Sequence, residues 1–392
     1  MSYSFPEIPG LMKTSNPTVL IADGAPHTLR LIQRALEGRF HVITAQNGWE
    51  AVEKFKNESP DLVLMDMEMP EMTGIEACQR IKQLAGSRFI PVIFVTGRDD
   101  AKSLKAGLES GAEDYMIKPF RIEELVLRLE AALRTKTLYD RLMFANSLIE
   151  KERDTIAKIQ QSLLTRDPPE TPGLSFFCDY QPSSKAGGDY YDFIQIDDEH
   201  LGLWMSDVSG HGTPAAVIMA MERIVLHTHL AKVRSPAEAL TGLNQILCDN
   251  IRTGDFITAF YGVLHLPTGV MRFASAGHPP PLLADYAGEG KLTSLAVDRG
   301  FPLMISPHNP FEERSVQLQR GNKLVLYTDG ITEACNNEKE MYGRELLEQL
   351  VLFRGKDLDA RGLAKQLRQS VKTFCEGAAL LDDYTLMVME IL

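Results

Sequence analysis

The sequence predicts a multidomain chain: an α/β unit on a parallel sheet, then a long helix, then a larger α+β unit of two sheets with helices outside. Three observations carry this. At 392 residues the chain exceeds one ordinary domain. Between Thr18 and about residue 134, short apolar runs alternate with amphipathic stretches, whereas beyond residue 172 strand-like runs follow one another with turn signals between them. From Ile122 to Leu164 there is neither proline nor glycine.

Composition narrows the function classes. Hydrophobic residues at 44% and charged residues at 24% are globular values. Lys+Arg 41 against Asp+Glu 53 gives −12, which opposes the clustered cations that phosphate backbones require, so neither nucleic acid nor a membrane is expected as a partner. Five scattered cysteines without a CxxC pair fit neither a disulfide framework nor a thiolate zinc site. The first residues lack a basic and apolar leader pattern, and no apolar run approaches the ~18 residues needed for spanning. A cytoplasmic protein is the expectation.

Residues 1–16 read as an N-terminal extension and 17–121 as a compact α/β core. Val19 to Ala22 precede Asp23, Thr28 to Leu36 reads helical, Asp61 to Met65 lead into Asp66, and Ile90 to Val95 lead into Thr96. A weaker run, Tyr115 to Ile117, precedes Lys118-Pro119. Uninterrupted apolar runs separated by helices predict a parallel sheet covered on both faces. Functional groups in such sheets collect at the carboxyl ends of strands. Asp23, Asp66, Thr96 and Lys118 then share one crevice suited to phosphoryl transfer. A carboxylate can attack phosphorus, a hydroxyl can bond the acquired group, and an ammonium can pair with it.

Residues 122–167 read as a helical linker. Leu138, Leu142, Ala145, Ile149, Ile156, Ile159 and Leu163 keep a 4-3 alternation, which predicts a coiled coil and a homodimer through it, with Ala145 and Glu152 weakening the seam. The alternative is an amphipathic helix packed on its own neighbouring domain. Asp167-Pro168-Pro169 stops the helix.

In residues 168–392, runs at Phe176 to Tyr180, Leu201 to Met205, Phe256 to Leu264, Val270 to Ala274, Lys323 to Tyr327 and Thr385 to Ile391 predict antiparallel strands. His265 to Gly269 reads as a hairpin connection. Thr213-Pro214 and Ser235-Pro236 open helices, and Tyr342 to Phe353 and Asp357 to Cys375 read as two more. Four aspartates stand in turns or at strand ends: Asp189 in AGGDYYD, Asp207 in SDVSGHG, Asp329 in YTDG and Asp382 in DDYT. Singly, such residues are usually structural. Gathered, they would repel by ~1 to 4 kcal/mol per pair at ~4 Å. Oxygen-loving divalent cations, Mg²⁺ or Mn²⁺, would offset that repulsion. Two such ions can acidify a shared water and clamp phosphoryl oxygens.

On LMDMEMPEMTGIEA around Asp66, FVTG at Thr96 and DYMIKPF at Lys118, residues 17 to about 136 resemble a two-component receiver domain. The resemblance implies a doubly wound five-stranded sheet and phosphorylation of Asp66 by a sensor histidine kinase or phosphotransfer protein. It implies Thr96 and Tyr115 as a switch pair, Lys118 as the phosphate contact, and Mg²⁺ on Asp23, Asp66 and the Glu68 backbone. Gly24 stands where receivers usually carry a second acidic residue, which implies weaker Mg²⁺ binding.

On GGDYYDF, SDVSGHG, SAGHPPP, LVLYTDGITEA and DDYTLMV, residues from about 172 onward resemble the PP2C-type serine/threonine phosphatases of the bacterial SpoIIE/RsbU branch. That resemblance implies an α-β-β-α sandwich holding two Mn²⁺ or Mg²⁺ ions on Asp189, Asp207, the Val208 carbonyl, Asp329 and Asp382, with Asp207 bridging. It implies Asp383 as a further ligand or a hydrogen-bonding neighbour. His211 is a candidate general acid or a residue that hydrogen-bonds within its own glycine-flanked turn, and His278, beside three prolines, looks architectural. The implied substrate is a phosphorylated anti-sigma-factor antagonist of the STAS type. The overall architecture also resembles RssB-like adaptors, which bind a sigma factor for proteolysis. An adaptor has no need of the aspartate set, and the full set favours the phosphatase.

Overall fold

The computed structural model describes residues 16–97, 101–164, 168–287, 290–297, 300–378 and 380–392, the side chains of 101–104 excepted. The expected N-terminal extension, apart from Asn16, and Asp167 of the expected helix stop lie outside the described residues. Two compact units divide the chain, Met1–Ile149 and Glu150–Leu392.

In the first unit, strands β1 (Thr18–Ala22), β2 (His41–Ala45), β3 (Leu62–Asp66), β4 (Val92–Thr96) and β5 (Asp114–Ile117) alternate with helices α1 (Pro26–Leu36), α2 (Gly48–Glu58), α3 (Gly74–Ala85) and α4 (Ala101–Glu109). The strands form one parallel sheet in the order β2-β1-β3-β4-β5. Its apolar runs are continuous because both faces are covered. Leu20, Val63 and Phe94 pack with Phe55 and Ile81 on one face, while Ile21, Leu64 and Val95 pack with Leu29, Ile32 and Leu125 on the other. Helix α3 starts on a capping box in which Thr73 and Glu76 satisfy each other's backbone N–H.

Helix α5 (Ile122–Leu163) is one unbroken element of 42 residues. Its first turns bury Leu125, Val126 and Leu129 against the parallel sheet's unit. Of the expected seam, Leu138, Leu142, Ile149 and Ile159 are exposed, but Ile156 packs with Ala157 against Ala186 and Ala216 of the second unit. That part of the helix follows the alternative reading and packs on its own domain. Among the described residues, no helix is long and apolar enough to cross a membrane.

The second unit continues with β6 (Leu174–Gln181), β7 (Tyr190–Asp197), β8 (His200–Val208), α6 (Thr213–Val225), a π turn over Leu226–Leu230, α7 (Pro236–Asn250), β9 (Ile257–His265) and β10 (Val270–Ala276). After these come β11 (Leu282–Asp285), β12 (Lys291–Ser294), β13 (Arg314–Gln317), β14 (Lys323–Tyr327), α8 (Asp329–Thr332), α9 (Gly343–Arg354), α10 (Ala360–Phe374) and β15 (Tyr384–Ile391). The strands make two antiparallel sheets, ordered β13-β10-β9-β8-β7 and β12-β11-β14-β15-β6. Alternate residues explain their packing. Leu201, Leu203 and Met205 of β8 meet Leu324, Leu326 and Met387 between the sheets. Trp204 and Val208 face outward onto α6 and α7 through Met219, Leu240 and Leu243, and Val325 and Leu386 face α9 and α10 through Leu347, Leu363 and Leu367. Helix, sheet, sheet and helix layers result.

Five strands have no counterpart among the runs named from the sequence, β2 (His41–Ala45) being one of them. β7 lies inside the motif read for its aspartate, and β11, β12 and β13 have four residues each, too few to establish a period.

Candidate active site and receiver crevice

Parallel strands end together, and the first unit uses that rim. Asp23 follows β1, Asp66 and Thr96 close β3 and β4, and Lys118 follows β5. Lys118 Nζ lies 2.7 Å from Asp23 Oδ2 and 2.7 Å from Asp66 Oδ2. The Lys118-Pro119 peptide is cis. The N–H groups of Ala25 and Glu68 donate to Asp23 Oδ1 at 2.8 Å and Asp66 Oδ1 at 3.1 Å. Thr96 is fully buried, and Tyr115 is half-buried against the cluster that holds Phe94. Asp23, Asp66 and Lys118 therefore meet in one cluster, while Thr96 and Tyr115 stand on the adjoining strands β4 and β5.

Burial pushes the Asp66 carboxyl above its ordinary range, although Lys118 pulls the other way. For Lys118, burial opposes the charge, but the bonds to Asp23 and Asp66 outweigh it and the ammonium is raised. The difference has a simple cause: Lys118 gains two carboxylates, while Asp66 has a share of one ammonium. Asp23 and Asp66 offer the hard oxygens that Mg²⁺ prefers, and Gly24 offers none. A Cβ on residue 24 would lie 2.9 Å from Pro70 Cδ, so an acidic side chain enters only if Pro70 shifts. Gly24→Asp is expected to tighten Mg²⁺ binding and speed phosphorylation of Asp66 by a small-molecule phosphodonor, while lowering the melting temperature of this unit. An unchanged phosphorylation rate would show that Gly24 limits nothing.

In the second unit each sheet brings two chain segments to a common rim. β7 and β8 are antiparallel with Tyr190 opposite Ser206, so Asp189 and Asp207 are neighbours. β14 and β15 are antiparallel with Tyr327 opposite Leu386, so Asp329 at the start of α8 adjoins Asp382 and Asp383 ahead of β15. Two hydroxyls stitch the sheets together here. Thr328 Oγ1 donates to Asp189 Oδ2 at 2.7 Å, and Thr385 Oγ1 donates to the same oxygen. Close backbone approach needs glycine at two points: a Cβ on Gly188 would lie 2.7 Å from the Val208 carbonyl oxygen, and one on Gly330 would lie 1.9 Å from that of Asp383.

The carboxylates feel one another. Burial, then Asp329 and Asp382, push Asp207 up to about 8. Burial, then Glu333 and Asp382, push Asp329 up to about 6. Asp189, fully buried, is raised by burial and by Asp207, and burial raises Asp382 while nearby His211 acts in the opposite sense. Asp383 plays another part. Its Oδ1 accepts from Ser183 N–H at 2.7 Å and Ser183 Oγ at 3.0 Å, and its Oδ2 accepts from Gly188 N–H at 2.6 Å. With both oxygens engaged, it braces the loop that carries Asp189. Among the described residues, no three His, Cys, Asp or Glu side chains close into a metal-ligating group. The donor set is nonetheless all hard oxygen and suits Mg²⁺ or Mn²⁺.

His211 is exposed in the loop between β8 and α6. His278 is buried with Nδ1 3.0 Å from Thr258 Oγ1, and burial pushes it down to about 3. Sequence reading missed Thr328 and Thr385, although both lie inside quoted motifs. It also missed Gln160 of α5, whose amide takes both backbone groups of Gly187, accepting its N–H at 3.0 Å and donating to its carbonyl at 2.6 Å. Glu222 of α6 is fully buried behind the rim and accepts from Trp204 Nε1 at 3.0 Å; burial pushes it up to about 8. Nothing in an amphipathic helix distinguishes such a residue beforehand.

Carboxyls raised this far bind protons in the folded state that the unfolded chain has released. In the metal-free protein their contribution to stability is full below about pH 4 and is lost as pH rises through about 8, the value for Asp207. The second unit's melting temperature is expected to fall between about pH 5 and pH 8 without metal, and saturating Mn²⁺ is expected to remove most of that fall. A calorimetric profile that is flat with pH would contradict the crowding of these carboxylates.

Comparison with known proteins follows the same division. The family described as response regulator receiver domain matches residues 19–130, and the family described as stage II sporulation protein E (SpoIIE) matches residues 197–392, half of the chain. The phosphoserine phosphatase RsbU of Bacillus subtilis (strain 168) is 29% identical over 242 residues, covering 62% of this chain and 70% of that protein. The alkaline phosphatase synthesis transcriptional regulatory protein PhoP of Bacillus subtilis (strain 168) is 38% identical over 120 residues, 30% of this chain; the chain spans about half of that regulator, 49%. Among solved structures, the SiaA-PP2C domain of Pseudomonas aeruginosa matches with a TM-score of 0.53 at 18% identity, covering 63% of this chain and 97% of that one. At that identity the likeness is one of fold.

Proposed function

The chain belongs to the SpoIIE family, whose PP2C-type phosphatase domain it joins to a receiver domain, and from that premise we propose that it hydrolyses a phosphoserine or phosphothreonine in a regulatory protein under the control of Asp66. The observation that carries the reading is the meeting of Asp189, Asp207, Asp329 and Asp382 on one rim, where each is pushed above its ordinary range. An adaptor acting only by docking has no use for such an arrangement.

In this reading Asp189, Asp207, Asp329, Asp382 and the Val208 carbonyl are the groups that would hold Mn²⁺ or Mg²⁺. Such ions, when bound, supply charge for the phosphoryl oxygens and acidify water. The chain does the positioning. Thr328 and Thr385 fix Asp189, and Asp383 ties down the loop before it. As the water oxygen bonds to phosphorus and the bond to the serine oxygen breaks, His211 is the side chain that hands the departing oxygen its proton. Asp207→Asn or Asp329→Asn removes several kcal/mol of charge stabilisation and is expected to lower Mn²⁺-dependent turnover of p-nitrophenyl phosphate by about a thousandfold, with the fold intact by circular dichroism. Near-wild-type turnover in either variant would sink the ligand assignment.

The likeness to RsbU supports a phosphorylated anti-sigma-factor antagonist of the STAS type as substrate. The receiver would take its phosphoryl group from a histidine kinase or phosphotransfer protein, and phosphorylation would repack Thr96 and Tyr115 against α5. The exposed row Leu138, Leu142 and Ile149 supports pairing of two chains along that helix. Beryllofluoride, as a mimic of phosphorylated Asp66, is expected to change both oligomeric state and turnover. If sedimentation and kinetics both stay unchanged, the receiver does not govern the phosphatase in this way.

A further inference from the structure

The catalytic rim leaves open what receives the substrate's phosphate group. Beside it lies a recess of about 450 Å³ lined by Glu150, Arg153, Lys185, His211 and the first residues of α6. Although the chain carries a net charge of −12, three of these side chains are basic.

Lys185 is not on a loose loop. Ser183 and Gly188, which flank it, both donate to the carboxylate of Asp383. Ser184 Oγ donates to the Ala186 carbonyl at 2.6 Å, and Gly187 is held in both directions by Gln160. The same carboxylate that braces the Asp189 loop therefore fixes where Lys185 stands relative to the rim. Lys185 Nζ is 2.6 Å from Glu150 Oε2 and 2.7 Å from Asp154 Oδ1, both on α5. Arg153 Nη1 is 3.6 Å from the other oxygen of Glu150, and Lys158 acts on Asp154 from the same helix. Two anionic oxygens on one ammonium are what a phosphate monoester dianion would also place there. These side chains are about half exposed, so the pairs are weak and an incoming dianion can displace them.

We infer that Glu150 and Asp154 are an intramolecular competitor for the phosphorylated substrate: the recess receives the phosphate-bearing segment, Lys185 and Arg153 bind its phosphate, and the two carboxylates of α5 must first release Lys185. The inference rests on the phosphatase reading and adds a binding site and a restraint to it. Because the restraint is carried by the helix, anything that shifts residues 150–154 alters substrate affinity without touching the carboxylate rim.

The test is Mn²⁺-dependent hydrolysis of p-nitrophenyl phosphate by the full chain, with inorganic phosphate as competing ligand. Wild type is compared with Glu150→Gln/Asp154→Asn, with Lys185→Met, which keeps the apolar stem, and with the triple variant. Removing the two carboxylates is expected to lower KM and the inhibition constant of phosphate about three- to tenfold, the range two exposed ion pairs can supply. That gain is expected to shrink at ~0.5 M salt. Lys185→Met is expected to raise both constants roughly tenfold or more, with a smaller change in kcat. In the triple variant the carboxylate changes are expected to have no further effect. Unmoved constants in Glu150→Gln/Asp154→Asn, or an equal gain with and without Lys185, would overturn the inference while leaving the phosphatase reading intact. A wild-type chain with no Mn²⁺-dependent turnover would overturn that reading, and this inference with it.

Discussion

Repulsion between carboxylates is the constraint around which the second unit is organised. Like charges gather only where a rigid frame holds them, and here the frame is two sheets locked face to face by Leu203, Phe260, Leu326 and Met387. Each sheet delivers two segments to the same rim. Thr328 and Thr385 then tie Asp189, which belongs to one sheet, to the strand ends of the other. Loosening the packing between the sheets would let the aspartates drift apart, so core and chemistry are parts of one balance.

The two units solve a common problem differently. In the receiver, Asp23 and Asp66 share the ammonium of Lys118, a cation built into the chain. At the phosphatase rim the bonds to Asp189 and Asp383 come from hydroxyls and backbone amides, which orient a carboxylate without cancelling its charge. The first arrangement is poised for a group that arrives carrying its own charge. The second is short of positive charge, which divalent cations would supply.

Much of this was legible in sequence because strand ends and glycine turns are local features. Asp66, Thr96 and Lys118 each follow an apolar run, and the aspartates of the second unit sit in short motifs with glycine or a paired aspartate. Which aspartates meet was not legible from the residues themselves, since strand pairing over long separations leaves no mark on composition; the family resemblance supplied it. Thr328 and Thr385 could have been found as the hydroxyl neighbours of two quoted aspartates. Gln160 and Glu222 could not, because a polar residue on a helix shows its partner only after packing. For α5 the periodicity allows both a seam weakened at Ala145 and Glu152 and a face packed on its own domain, and the structure divides the helix between them: Ile156 turns to its own domain while Leu138 and Leu142 stay in the open.

Strand β6, near the start of the second unit, finds its sheet neighbour in β15, and Ser183 waits for Asp383 across 200 residues of chain. Contacts this distant form slowly, because the entropy of closing a long loop is lost before the contact rewards it. During synthesis the receiver can complete its sheet once β5 has emerged, with most of the chain still to come. The phosphatase cannot: until residues 382–391 are out, β6 has no partner, Asp189 lacks the Thr385 hydroxyl, and the rim is missing a wall. A nascent chain on the ribosome is thus a finished receiver attached to a chemically silent precursor, and the enzyme comes into existence only when its last strand is laid down.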